Sequence, residues 1–151
     1  MMQIYELLLK GHIGEDDVRV GIGQFLGIDA SLIGPTLDFL DPSATGARVE
    51  VGLDVEAAEP TYPTTAQLMV NHDIGDERYL ALASALARRF GVPVAIGDFT
   101  YEGQDSMGQY IVLTPDGLMQ QGVEGFDADG NFVIVMESQP ALISEFLKAR
   151  R

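Results

Sequence analysis

The segment at residues 76–91, DERYLALASALARRFG, constrains the fold more than any other part of the sequence. Its apolar residues recur at the spacing of an α-helix, which predicts one amphipathic helix. Asp76 is a suitable N-cap residue, and Gly91 and Pro93 are residues that end helices. Such a helix must bury its apolar stripe against another layer of structure. The stripe consists of Tyr79, Ala83, Leu86 and Phe90.

The chain after this helix is typical of β structure. Pro-Asp-Gly at 115–117 and Asp-Ala-Asp-Gly at 127–130 supply tight turns, so the last three strands are expected to form an antiparallel meander. Ser138 is expected to cap a final helix. In all, four strands are predicted after the helix at residues 76–91, near residues 93–96, 109–114, 118–124 and 131–137, and the last three of them form the predicted meander. The final helix is expected to turn Leu142, Ile143, Phe146 and Leu147 toward the core.

The first half of the chain gives a more mixed pattern. A strand is predicted at residues 3–11, with a helix as the alternative because short apolar runs are ambiguous. A helix that has an acidic first turn and ends at Gly27 is expected to follow. Residues 28–47 are expected to form a loop with one short helical turn. Alternation of apolar and acidic residues predicts a strand at 48–56, and another is expected at 66–72.

These elements do not alternate strictly between strand and helix, which favours an α+β fold over a doubly wound sheet. The length of 151 residues suits one domain over residues 1–151. The sequence therefore predicts a mostly antiparallel sheet with a C-terminal meander, packed by about three helices.

The charge distribution is uneven. The net charge is −14, and residues 90–147 contain nine acids and no lysine or arginine. Residues 49–77 also lack basic side chains. This charge repels nucleic acid and anionic membranes and attracts a basic protein partner. We therefore expect no nucleic acid and no membrane among the partners.

The sequence contains no cysteine, which excludes disulfides and thiolate metal sites. The N-terminal segment MMQIYELLLKGHIG has no basic leader and is interrupted by charge, so neither a signal peptide nor a membrane span is predicted there. A cytoplasmic location is the default expectation.

No motif predicts catalysis. The glycines of GIGQFLG at 21–27 do not fit the spacing of a dinucleotide fingerprint, so a structural role is expected for them. DADGN at 127–131 lacks the glycine and glutamate that an EF-hand requires. His12 and His72 are the only histidines, with no third to complete a metal site. We expect no catalytic residue, metal or cofactor, although the many carboxylate pairs leave glycosidase-type chemistry open.

The segment GDFTYEGQDSMGQY at 97–110 mixes acids with aromatic residues. Aromatic residues anchor protein interfaces, and carboxylates at the rim steer a basic partner. Phe99 and Tyr101 are the predicted apolar anchors. The alternative interpretation is a solvated surface that maintains solubility. The carboxylates predicted to pair with the partner's Lys and Arg are Asp98, Glu102, Asp105, Glu50, Asp54 and Glu56.

The runs RYLALASALARRFGVPVAIGD, QYIVLTPDG and DADGNFVIV resemble small acidic bacterial immunity proteins of polymorphic toxin systems, those of contact-dependent inhibition or type VI secretion. The resemblance covers about the last half of the chain. It implies an α+β cytoplasmic protein that binds a cognate basic toxin domain and occludes its active site. It implies no enzymatic activity and no cofactor.

Two alternatives to an immunity protein stay open. One is an acidic secretion chaperone that binds an extended effector segment, often as a dimer. The other is a small-molecule-binding or enzymatic domain with a concave site near His72 or Ser106. The sequence leaves open whether the protein is a monomer or a dimer.

Overall fold

The computed structural model describes residues 2–46, 48–101 and 107–150. The strands are β1 (Gln3–Leu9), β2 (Ile33–Gly34), β3 (Val51–Ala57), β4 (Thr64–Val70), β5 (Val94–Gly97), β6 (Gln109–Leu113), β7 (Leu118–Phe126), β8 (Phe132–Met136) and β9 (Ala141–Leu142). The longer helices are α1 (Glu15–Leu26), α4 (Asp76–Phe90) and α5 (Ile143–Arg150). Two short helices, α2 (Thr36–Leu40) and α3 (Pro42–Thr45), follow a 3₁₀ turn at Ala30–Leu32.

All nine strands belong to one sheet, in the order β2-β3-β4-β1-β5-β6-β7-β8, with β9 beside β7. Every pair is antiparallel except the short contact of β2 with β3. The predicted α+β fold is therefore confirmed, and so is the meander formed by β6, β7 and β8. The turn before β8 depends on Asp127, whose carboxylate accepts hydrogen bonds from the backbone of Asp129 and Asn131.

One face of the sheet, which we call the helix face, carries the main core. Side chains of a strand alternate between faces, so Leu7 of β1, Leu68 of β4 and Ile111 of β6 point to the same side. They are buried in one cluster with residues of α1 and α4, such as Ile22 and Leu86. The partly buried side chains of α5 pack against the same cluster. The opposite side of the sheet is called the open face below.

Two glycines inside α1 permit its close packing, as the sequence predicts for a structural role. A Cβ atom at Gly21 would lie 2.9 Å from Cδ2 of Leu86 on α4. A Cβ atom at Gly23 would lie 2.9 Å from the carbonyl oxygen of Ile28, which is backbone and cannot rotate away. The helix then ends at Gly27, which has the left-handed backbone that favours glycine (φ 73°).

The cap residues differ from the prediction at both later helices. Gly75, not Asp76, precedes α4, and Asp76 is instead the first helical residue. Ser138 does not cap α5, which begins at Ile143. The hydroxyl oxygen of Ser138 accepts a hydrogen bond from the backbone of Gln121, because this part of the chain first forms β9 beside β7. For the same reason Leu142 is 48% exposed rather than turned into the core.

Other boundaries move by a few residues. The strand expected at 48–56 begins at Val51, and the loop expected at 28–47 contains β2, α2 and α3. Helix α2 lies on the open face at the corner of β3, since a Cβ atom on Gly52 would meet Cβ of Phe39 at 3.1 Å. The structure of residues 28–46 depends on contacts with other elements. A local sequence pattern carries no information about such contacts.

Candidate binding surface on the open face of the sheet

The strands contain four carboxylates, and all four lie on the open face. Gln67 of β4 pairs with Glu6 on one side and with Asp54 on the other, which places these three side chains in one row. Glu56 is two residues beyond Asp54 and shares its face. Glu124 is on the same face. The register of β1, β5 and β6 places Tyr110 on the open face, and Tyr110 pairs with Gly122 of β7. Glu124 lies two residues beyond Gly122 and therefore points to the same side.

Positive charge is absent from the described strands. The chain has nine lysines and arginines, and none of them lies within any strand listed above. Within the described part of the chain, the ion pairs are those of Arg19 with Glu15 and Asp16 and of Arg48 with Glu50. None of the four strand carboxylates of the open face therefore forms an ion pair with a described lysine or arginine.

The loop at residues 58–63 crosses one end of the open face. Tyr62 of this loop is only 3% exposed and packs on Ala95 and Val112 of the sheet. Its ring centroid lies 6.1 Å from that of Phe132 in an edge-on arrangement. The hydroxyl of Thr61 donates to the carbonyl oxygen of Phe132. Loop and sheet are thus joined at β8, although β4 and β8 are far apart in the strand order.

Between this loop and the sheet lies a cavity of about 220 Å³. Its walls include the carboxylates Glu6, Glu59 and Glu124 and the rings of Tyr62 and Tyr110. A smaller cavity of about 100 Å³ shares Glu6 and Thr65 with it and extends along the sheet to Asp54 and Glu56. We call the five carboxylates of the two cavities the acidic trough: Glu6, Asp54, Glu56, Glu59 and Glu124.

The tyrosines of the trough stay neutral. Burial raises the pKa of Tyr110, and the negative charges of Glu124 and Glu6 raise it further. Burial raises the pKa of Tyr62 to about 12. The side chain of Lys10 holds its nitrogen 6.0 Å from the Tyr62 ring centroid, so a cation already lies over one aromatic ring at the rim. Carboxylates beside neutral aromatic rings form an environment suited to a cationic group.

One carboxylate of the trough also has a structural partner. Asp54 accepts hydrogen bonds from the hydroxyl of Thr36, at 2.5 Å, and from the backbone nitrogen of the same residue, at 3.4 Å. These bonds tie α2 to β3 and hold the Asp54 side chain half-buried. Glu6, Glu56, Glu59 and Glu124 are exposed and reach solvent.

The structure places some of the residues that the sequence predicts for partner binding in the trough and others outside it. Asp54 and Glu56 lie in the trough. Glu50 lies outside it, exposed and paired with Arg48 at 3.0 Å. Tyr101 is 41% exposed and does not line either cavity of the trough. Glu102 and Asp105 lie outside the described residues.

Asp98 and Phe99 are engaged within the fold. Asp98 is 3% exposed. Its carboxylate accepts hydrogen bonds from Thr100, through the backbone and the hydroxyl, and from the side chain of Gln121. The ring of Phe99 packs edge-on against that of Phe146 on α5, with centroids 6.5 Å apart. Direct partner contacts by these two side chains stay a prediction. Their observed contacts within the fold indicate a structural role.

The residues that the sequence predicts for partner binding do not include Glu6, Glu59, Glu124, Tyr62 or Tyr110. The alternation of β1 contains a usable signal, because Glu6 lies between the core residues Tyr5 and Leu7. Nothing local indicates that Tyr62, a loop residue, is buried on the sheet.

The two histidines are both exposed, and neither lines the two cavities of the trough, although His12 lines a neighbouring cavity of about 380 Å³ together with Glu56. Next to His72, the carboxylate of Asp73 accepts hydrogen bonds from the Tyr5 hydroxyl at 2.7 Å and from the Gly75 backbone at 2.8 Å. In the described part of the chain, no group of three or more His, Cys, Asp and Glu is arranged to hold a metal ion.

Comparison with protein families, curated proteins and solved structures finds no significant match to this chain. Of the helices that the structure describes, none combines the length and the apolar character needed to cross a membrane.

Proposed function

We propose that this protein binds and neutralises a basic toxin domain, and that the acidic trough is the surface that receives it. The observation that carries the proposal is the segregation of charge across the sheet. All four carboxylates of the described strands lie on the open face, opposite α1, α4 and α5, and no described strand contains a lysine or arginine.

The trough combines the two properties that protein interfaces use. Its carboxylates complement lysine and arginine side chains, which raises the rate of encounter with a basic partner. Its aromatic rings offer apolar surface on which the stem of an arginine or lysine can pack. Exposed apolar side chains on the same face, Ile4, Phe126 and Met136, add anchors around it.

The mechanism would be occlusion without any chemistry of its own. A toxin domain that acts on nucleic acid holds the phosphates with a basic surface. A protein of net charge −14 that seats its carboxylates on that surface competes with the phosphates and covers the site. The resemblance to immunity proteins supports this assignment of the partner.

The experiment is co-expression of this chain with the C-terminal domain encoded by the reading frame directly upstream of its gene, followed by measurement of growth and of binding. The test variant replaces Glu6, Glu59 and Glu124 by Gln. The control variant, Asp17→Asn with Asp129→Asn and Glu145→Gln, removes the same charge from exposed positions outside the trough.

We expect the trough variant to lose protection and to bind about tenfold or more weakly, with slower association and a weaker dependence on salt. The control should keep most of the affinity because it retains the trough. Equal losses in both variants would show that only total charge matters. An upstream frame that encodes no toxin, or a toxin domain that does not bind, would contradict the proposed function.

One observation favours a second candidate, the secretion chaperone. β8 is an edge strand of the sequence FVIVM, without charge or proline, and Val135 is 51% exposed. Natural proteins usually protect such edges, and an extended effector segment can pair with them. Light scattering of the purified protein distinguishes the two: a stable homodimer, together with effector binding that Val135→Lys abolishes and the trough variant does not, favours the chaperone.

A further inference from the structure

Another cavity, of about 410 Å³, lies at the end of the sheet where α1 stops and α4 begins. It is on the helix side, so it does not overlap the acidic trough. Its volume lies within the range of small-molecule sites. The apolar wall is formed by Leu26, Ile28, Val51, Val70 and Ile74.

The polar residues of this cavity have the opposite charge preference from the trough. Exposed His72 and Arg78 line it, together with Asn71 and Glu50. Glu50 is already paired with the guanidinium of Arg48 at 3.0 Å. Arg48 does not line the cavity, but its ion pair with Glu50 leaves Arg78 as the charged lining residue that has no ion pair among the described residues.

Arg78 is held at the cavity by packing. Its guanidinium carbon lies 5.5 Å from the ring centroid of Phe25 on α1, in a cation–π contact. Within the described residues Arg78 forms no ion pair. It is also in the first turn of α4, where the helix dipole disfavours a cation and favours an anion. A guanidinium held in this position has hydrogen-bond donors available for a carboxylate.

The carboxylate of Asp73, next to His72 in the sequence, does not make the cavity unfavourable for an anion. The carboxylate of Asp73 is bound by the Tyr5 hydroxyl and the Gly75 backbone, and Asp73 does not line the cavity. An anion can therefore approach His72 and Arg78 from the side of the cavity.

We propose that this cavity binds a small amphipathic carboxylate, with the apolar body against the valine and isoleucine wall and the carboxylate at Arg78 and His72. This site is independent of the proposed function, since its residues are on the other face of the sheet from the trough.

The test is an NMR titration of the full chain with octanoate, and with 1-octanol and octylammonium as neutral and cationic probes of the same length. Octanoate should shift the amide signals of Leu26, Val51 and Val70 and bind more tightly than the other two probes. Arg78→Met should weaken octanoate binding about tenfold, the loss expected for one charge-assisted hydrogen bond, and leave 1-octanol binding unchanged.

Arg88→Met is the matched control, because Arg88 is an exposed arginine in the last turn of the same helix. It should leave octanoate binding unchanged. A second variant, Ile28→Trp, should block all three probes by filling the cavity. Equal affinity for the three probes, shifts confined to residues outside the cavity, no binding of octanoate, or equal losses in the two arginine variants would each overturn the proposal.

Discussion

The two faces of the sheet are made by the same strands, yet they have opposite chemistry. On the helix face, Leu7, Leu68 and Ile111 are excluded from solvent in one apolar cluster. On the open face, their immediate neighbours along the chain include Glu6, Gln67 and Tyr110, which reach solvent or a polar cavity. The core that stabilises the fold lies on one side of this layer, and the proposed partner-binding trough lies on the other. Substitutions can test this division strand by strand.

The largest effect is expected on the helix face. Leu7→Ala should lower the free energy of unfolding by about 2–5 kcal/mol, because it removes a fully buried side chain and leaves a cavity. Leu8→Ala, on the next residue, should cost roughly half as much, since Leu8 is only partly buried in the small cluster of the open face. Urea unfolding measures both values. Equal losses in the free energy of unfolding would show that the two faces contribute equally to stability at β1.

Asp98 is an acid on the helix side of the sheet, where its role is expected to be structural. Asp98→Ala should cost about 1–3 kcal/mol in urea unfolding, since the donors of Thr100 and Gln121 would lose their buried acceptor. Asp98→Asn keeps one acceptor oxygen and should cost less. If Asp98→Ala leaves stability unchanged but abolishes partner binding, the sequence-based assignment of Asp98 to the interface is correct and its structural role is not.

The Tyr5–Asp73 contact at the rim of the helix face predicts a pH dependence. The hydrogen bond from Tyr5, followed by that from the Gly75 backbone, lowers the pKa of Asp73. A lowered pKa gives stability that is present above the ordinary aspartate value and is lost as the pH falls through the lowered one. The stability difference between the wild type and Tyr5→Phe should therefore narrow between about pH 7 and about pH 3.

A residual difference should remain at low pH, because the Tyr5 oxygen also accepts a hydrogen bond from the Ile74 backbone, which does not titrate. Tyr79→Phe is the control, since the Tyr79 hydroxyl donates to the carbonyl oxygen of Glu6 and not to a carboxylate. Its stability difference should be constant over the same interval. A parallel pH dependence in both variants would exclude Asp73 as the cause.

The smallest effect on stability is expected on the open face. Glu6→Gln should change the free energy of unfolding by no more than about 0.5 kcal/mol, as for most surface substitutions. The change should be stabilising, because it relieves repulsion from the other trough carboxylates, and salt should reduce it. Urea unfolding at low and high salt checks both the sign and the screening. A loss comparable to that of Leu7→Ala would show that the open face also supports the fold.

Much of the fold could be predicted because its signals are local. The stripe of α4 and the turns at 115–117 and 127–130 are contained in a few consecutive residues, and the structure confirms them. Helices α2 and α3 could not be predicted in this way. They are short, and contacts such as the Thr36–Asp54 hydrogen bonds hold them. Helices of this length have little stability of their own in water.

Prediction of the candidate site from the sequence is limited in the same way, because local patterns do not contain long-range contacts. The alternation at residues 48–56 indicates that Asp54 and Glu56 share a face, and the structure agrees. That pattern says nothing about Glu124, which reaches the trough only because β1, β5, β6 and β7 lie side by side. Asp98 resembles its acidic neighbours in the sequence, and its long-range hydrogen bond from Gln121 is not contained in any local pattern.

The net charge of this protein follows from its residues alone, because charge is additive, and the alternation of each strand fixes which of its residues share a face, because the side-chain period of a strand is two. That the strand carboxylates meet in one trough follows only from the way the strands pair. Pairings such as Tyr5 with Leu68 join residues that are distant in the chain, and the strand order they create depends on burial of a shared core, a property that no single segment possesses.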